Sequence, residues 1–370
     1  MKFICEKSIL MNGLTIASRT VSVKNGIPAM EGIFARAGAA LELTGYNMET
    51  GISVNVEAEI LEQGTCVFPT RLFSDIIRKM PDEPVEVSVD ENYKAEIKCG
   101  VSNFKIMVMS AEEYPELPEI DSEKFLSVPG GELKRLISGT IFSISDSQVR
   151  PIQTGCLFEI EDSAITVVAV DGFRFARRCY RPETPFGREI KFVAPGAALK
   201  ELEKILTDTE EPVYFTPGTK HLMFKIGEVT LICRLLEGEF LNWRKVVPTN
   251  SSIRLVAHVP SLLSSIERVS LIVSEKINTP LRCRLEDNFV LLRTVSAIGA
   301  ANDSCAIAGD GKGLEIGLNC RYILEALRAV PTQEAQLNLE SSLSPMVITP
   351  ADGTDTFSYM VLPVRLKAGE

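Results

Sequence analysis

Residues 66–89 read CVFPTRLFSDIIRKMPDEPVEVSV. Within 69–80 the apolar residues Leu72, Phe73, Ile76, Ile77 and Met80 recur at helical spacing and form one apolar stripe. Pro69 suits a first helical turn, where a missing N–H costs nothing. Pro81 and Pro84 forbid continuation, and Val85, Val87 and Val89 then alternate with polar residues as in a strand. The same pattern returns at 195–206 (PGAALKELEKIL) and 319–330 (NCRYILEALRAV). The polar face repeats too: Arg71, Asp75 and Arg78 become Ala197, Glu201 and Lys204, then Arg321, Glu325 and Arg328. Apolar repetition alone could be generic amphipathicity, whereas a repeated polar face points to descent of one unit. A period of about 125 residues is too long for a solenoid repeat and fits a small domain.

Working outward, each unit opens alike. A short strand leads into a helix at 9–16, at 132–144 and at 260–272. Alternating segments between the helices, joined by short turns such as 90–92 and 286–288, read as antiparallel strands. The expected fold is α+β: three tandem copies of a domain with two helices on antiparallel sheet. Looser composition at 112–122 (EEYPELPEIDS) and 248–252 (PTNSS) marks the joints, so the domains are 1–118, 119–248 and 249–370.

Composition narrows the function. The 370 residues are 45% hydrophobic and 24% charged, ordinary globular values. No apolar run approaches a membrane span, and 1–9 (MKFICEKSI) does not read as a signal peptide, so a cytoplasmic protein is expected. The nine cysteines form no C-x-x-C, which indicates neither zinc nor a redox dithiol. His221 and His258 have no ligand-like neighbours in sequence, and Gly309–Gly313 (GDGKG) reads as a hairpin turn. No clustered acid, base, nucleophile or metal ligand emerges, so no catalytic residue, metal or cofactor is assigned.

The net charge of −10 argues against a nucleic-acid partner until it is mapped. The helical segments with their flanks, taken as 7–20, 69–80, 131–144, 195–208, 258–272 and 319–330, together carry +5, so the remainder holds −15. One such helix would be a solvated face. Across a triplicated unit the segregation suggests a shared anionic object, and duplex DNA or RNA is the natural candidate.

Three further stretches stand out: 170–178 (VDGFRFARR), 236–248 (LEGEFLNWRKVVP), which holds the only tryptophan, and 359–366 (YMVLPVRL). The last reads either as an edge strand or as part of an apolar groove for a partner peptide. With the opening MKF and the triplicated unit, these stretches resemble the bacterial DNA polymerase III β subunit, the sliding clamp, over the whole chain.

That resemblance implies a head-to-tail homodimeric ring with helices inside, sheets outside and duplex DNA passing through without sequence preference. It implies a pocket for a short apolar clamp-binding peptide carried by the replicative polymerase, the clamp loader and other factors. Carried over by residue, the pocket comprises Arg150, Ile152, Gln153, Val170, Gly172, Phe173, Arg174, Phe175, Leu241, Lys245, Val246, Val361, Leu362, Pro363 and Val364. Phe173 and Phe175 stand where a polar ring and a leucine are often seen, and Leu241 replaces a frequent proline. The ring joint would use Phe104 and Ile106 against Ile272 and Val273. The DNA contacts would come from Lys24, Arg71, Arg78, Lys79, Lys134, Arg135, Lys200, Lys204, Arg321 and Arg328, with Gln148 and Arg150 also facing the hole. The implied function is processivity without catalysis. The rivals are a monomeric peptide-binding scaffold and a metal-dependent nuclease or nucleotidyl transferase.

Overall fold

Six helices with one apolar side each, α1 (Lys7–Ala17), α2 (Thr70–Lys79), α3 (Gly130–Ser138), α4 (Gly196–Ile205), α5 (Val259–Ser270) and α6 (Cys320–Arg328), occur among the described residues of the computed structural model. Those residues are 1–22, 26–120, 125–248, 250–273 and 279–366. Lys24 lies outside them.

Helix α2 shows why these segments are helical. It buries Phe73, Ile76 and Ile77 and leaves Arg71, Asp75, Arg78 and Lys79 in solvent. Two expectations for it need correction. Pro69 is the cap residue and the end of the preceding strand (φ −63, ψ 110), not part of the first turn. Leu72 is 48% exposed, at the margin of the stripe rather than within it.

Helix α3 stops at Ser138, short of the expected 144. Thr140 turns its hydroxyl back onto the Leu136 carbonyl at 2.7 Å, and a short 3-10 turn, Ile141–Ser143, follows. A Cβ at Gly139 would lie 2.7 Å from the Arg178 side chain, so the helix leaves at a position that only glycine fills. Helix α6 is capped by Asn319, whose side chain accepts from the Arg321 and Tyr322 N–H groups.

The chain forms two compact units, Met1–Leu133 with Lys200–Leu235, and Lys134–Leu199 with Leu236–Glu370. In the first, α1 packs beside α2. One antiparallel sheet runs in the order Glu59–Glu62, Lys2–Glu6, Pro84–Val89, Lys94–Cys99, Ser102–Met107. A second sheet, eight-stranded, contains the pairing of Val229–Arg234 with Thr50–Val56, with Leu231 opposite Ile52. The stretch expected as a linker starts as packed structure. Tyr114 stacks on Phe34 with ring centroids 5.2 Å apart and donates its hydroxyl to the Thr44 carbonyl at 3.2 Å.

In the second unit α5 packs beside α6 on a twelve-stranded antiparallel array. There Arg174–Tyr180 pairs with Phe357–Val361, Ala176 opposite Tyr359. The strand Phe357–Val361 is therefore interior and fully buried, not the edge strand that its proline suggested. Beyond it, the Leu362 N–H donates to the Phe173 carbonyl at 2.9 Å and the Val364 N–H to the Gly317 carbonyl at 2.8 Å.

The repeat is visible in these pairings. An offset of about 125 residues carries Ser102–Met107 onto Val229–Arg234, and Thr50–Val56 onto Arg174–Tyr180. About 250 residues carries them towards Phe357–Val361 and onto Gly299–Gly309. Two of these pairs of equivalents are hydrogen-bonded to each other. The remaining two strands have free sides: Ser102–Met107 ends its sheet, and Gly299–Gly309 pairs with Ile253–His258 only along its last three residues.

Candidate functional site

The strands Gly155–Glu161 and Ala164–Val170 are buried on both faces, as their nearly continuous apolar sequences require. On one face Phe158 stacks against Phe192 at 5.2 Å. On the other lies a small second core of Leu157, Val168, Val170, Phe175, Val193, Val347 and Met360, lidded by Phe240 and Trp243. Ile152, Leu236, Val247 and Leu362 pack around its rim.

At the margin, side chains turn outward. The hairpin tip at Gly172 has φ +93, a left-handed backbone that favours glycine. The Asp171 carboxylate accepts the Phe173 and Arg174 N–H groups at 2.9 and 3.0 Å, and the turn presents Phe173, 61% exposed. The Phe173 ring lies 6.5 Å from that of Tyr322 on α6. Leu241, Lys245 and Val246 are exposed on the lid segment, around a 3-10 turn at Trp243–Lys245.

Of the residues named for the pocket, the structure thus brings Ile152, Val170, Phe175 and Leu362 into one apolar cluster, with Phe173 on the hairpin of the same sheet and Leu241, Lys245 and Val246 on the covering segment. Val170, Phe175 and Val361 are closed to solvent. Pro363 and Val364 are half-buried, as is Gln153, while Arg150 is exposed at the start of the turn Pro151–Thr154.

Arg174 is only 4% exposed, so it holds the hairpin rather than facing a ligand. Its guanidinium donates to Asp171 at 2.8 Å and to Glu325 on α6, and stacks 4.4 Å above the Tyr322 ring. Sequence reasoning missed Tyr322, Glu159 and the covering role of Phe240. Glu159 was detectable as the inner of two carboxylates in a strand that is buried up to its terminal Glu161 (GCLFEIE).

The basic helix faces are exposed but seldom free. Arg71 and Arg78 approach Asp75 at 4.0 and 2.6 Å, Lys204 meets Glu201 at 2.7 Å, Arg321 meets Glu325 at 3.1 Å and Arg328 meets Glu267 at 2.8 Å. Exposed pairs of this kind contribute little stability and exchange readily for another anion. Lys79 and Lys200 have no ion-pair partner among the described residues. Arg135 is exposed and Lys134 half-buried on α3, and Gln148 is exposed in the loop that follows it.

Phe104 and Ile106 lie on one face of the edge strand Ser102–Met107, Phe104 being 42% exposed. Ile272 and Val273 follow α5, half-buried, with Val273 packed against the α5–α6 core.

Among the described residues no three His, Cys, Asp or Glu side chains converge as metal ligands, and no helix is long and apolar enough to cross a membrane. His258 meets the Ser261 hydroxyl at 2.8 Å at the start of α5. Burial, with Arg234 and Lys220 nearby, pushes the His221 imidazole down.

The family description "DNA polymerase III beta subunit" matches the chain in three parts: its N-terminal domain at residues 1–118, its central domain at 127–242 and its C-terminal domain at 244–365. The chain is 29% identical over 376 residues to a beta sliding clamp of Staphylococcus epidermidis, covering 99% of each. It is also similar to the solved structure of a putative DNA polymerase III beta subunit from Eubacterium rectale, with 30% identity and a TM-score of 0.93 over 99% of this chain and 100% of that one. The DNA polymerase sliding clamp from Bacillus subtilis has the same TM-score and coverage at 28% identity.

Proposed function

The chain belongs to the DNA polymerase III beta subunit family, and we propose that two copies close head to tail into a ring around duplex DNA. It is a sliding clamp, a processivity factor of DNA polymerase III that is not itself catalytic. The observation that supports ring closure is the repeated strand junction. Two of three equivalent junctions form within the chain, and the strands that would make the third, Ser102–Met107 and Gly299–Gly309, have free sides. A junction between unlike ends, used twice under two-fold symmetry, closes a ring. Phe104 and Ile106 of one copy would then meet the Ile272 and Val273 region of the other.

We assign the inner surface to the helices of domains 1–118, 119–248 and 249–370. Arg71, Arg78, Lys204, Arg321 and Arg328 reach phosphates only in competition with nearby carboxylates, which suits sliding. Contacts confined to phosphates give sequence-blind affinities of roughly 10⁻⁴–10⁻⁶ M. Topology, not tight binding, retains the ring on DNA. The pocket around Phe173 and Leu362 tethers apolar peptides of the polymerase, the clamp loader and other partners, and raises their effective concentration at the template. The protein acts in the cytoplasm.

Two measurements test this reading. Sedimentation should give about twice the 40.7 kDa chain mass. The loaded protein should stay on nicked circular DNA and run off once that DNA is linearised. Equal loss from both forms defeats the ring.

A further inference from the structure

The only tryptophan of the chain is held by Glu159, a carboxylate that is not among the residues named for the pocket. Glu159 lies on the strand Gly155–Glu161, on the face that carries Leu157 towards the second core. Its Oε2 accepts the Trp243 Nε1–H at 3.0 Å and the Arg244 Nη1–H at 2.8 Å, while Oε1 pairs with Lys191 Nζ at 3.0 Å. Arg244 also bonds Glu161 at 3.1 Å and lays its guanidinium 4.3 Å over the indole. Phe175 approaches the same ring at 6.0 Å and Arg177 at 5.7 Å.

This arrangement goes beyond filling a core. An apolar lid needs only a ring of the right size, whereas an indole N–H bonded to a fixed carboxylate has one orientation. The 3-10 turn Trp243–Lys245 starts on that ring, and Leu241, Lys245 and Val246 lie within three residues of it. A buried carboxylate carrying three donors is also costly to retain unless it is well satisfied, and Glu159 is.

We infer that Glu159 is a positioning residue for the peptide pocket: it sets the orientation of Trp243 and, through the 3-10 turn, the wall formed by Leu241, Lys245 and Val246. The inference rests on the pocket reading above.

The test uses the full-length protein and a fluorescein-labelled, end-capped pentapeptide of leucine, glutamine and phenylalanine, titrated by fluorescence polarisation. Glu159→Gln should weaken peptide binding about tenfold, since a charged hydrogen-bond acceptor is lost beneath the lid. The emission of Trp243 should move to longer wavelength in the same variant, with the oligomeric state unchanged. Glu161→Gln, which alters an exposed partner of Arg244 only, should bind as the unaltered chain does. Trp243→Phe keeps an apolar lid and lacks the N–H, so it too should weaken binding. The double variant should then be no weaker than Trp243→Phe alone, because both changes cut one link.

Peptide affinity unaltered in Glu159→Gln, or additive losses in the double variant, overturns the positioning role while the pocket stands. Should Glu159→Gln not fold, normal binding by Trp243→Phe overturns it instead. Absence of binding by the unaltered chain overturns the pocket and this role together.

Discussion

Arg174 and Glu325, 151 positions apart in the chain, form an ion pair beneath the hairpin that presents Phe173. The other oxygen of Glu325 takes the Arg321 guanidinium at 3.1 Å on the surface of α6. One carboxylate thus serves a buried arginine of the pocket hairpin and an exposed arginine of a basic helix. Arg174→Ala leaves Asp171 with backbone donors only and Glu325 with Arg321 only, at a cost of about 3 kcal/mol. Thermal unfolding should show this as a lower Tm of the second unit. Lysine at 174 should recover little, since one ammonium does not reproduce a planar fork that bonds two carboxylates while lying on Tyr322.

Phe173 is mostly in solvent, so truncating it removes contact surface without opening a core. Phe173→Ala should lower affinity for an apolar peptide at least about tenfold and leave the Tm within a few degrees. Removing residues 361–364 is a poorer experiment, because Val361 is 1% exposed and ends an interior strand. That deletion should unfold the second unit, as circular dichroism would show.

A charge on the edge strand should open the proposed ring. Phe104→Asp places a carboxylate where an apolar face would meet another copy. Sedimentation should then report the 40.7 kDa chain, and retention on nicked circular DNA should vanish, while peptide binding persists.

Burial pushes the Glu159 carboxyl up, yet hydrogen bonds from Lys191, Trp243 and Arg244 together hold it below the usual carboxylate range. A depressed folded-state value means that its stabilisation is complete above the unfolded value and fades as pH falls through the folded one. Peptide affinity of the unaltered chain should therefore be level from neutral pH down to about 5 and weaken below about 4. The contribution of this step should be missing in Glu159→Gln titrated over the same range.

Burial raises the thiols of Cys5 and Cys320 to about 11, and of Cys66 and Cys233 to about 12. Eight of the nine cysteines are buried and Cys179 is half-buried. Iodoacetamide at pH 8 should modify Cys179 first and slowly in the folded protein, and all nine after unfolding, as intact-mass spectrometry would count.

Periodicity carried much of the fold. Apolar residues at helical spacing placed all six helices, and the recurring polar face of α2, α4 and α6 disclosed the triplication, because both signals sit within one short stretch of chain. What spacing does not encode is which distant group a side chain will meet. Gly139 ends α3 against Arg178, Tyr114 folds a presumed linker back onto Phe34, and Phe357–Val361 becomes interior by pairing with Arg174–Tyr180. The pocket divides the same way. Its exposed residues other than Arg150 belong to two short motifs, 170–178 and 236–248, legible in order along the chain. The groups that hold them, Glu159 under Trp243 and Glu325 under Arg174, are 84 and 151 positions from their partners. Local sequence sets the face that a side chain occupies, and only the folded chain brings to a buried charge the opposite charge that makes its burial tolerable.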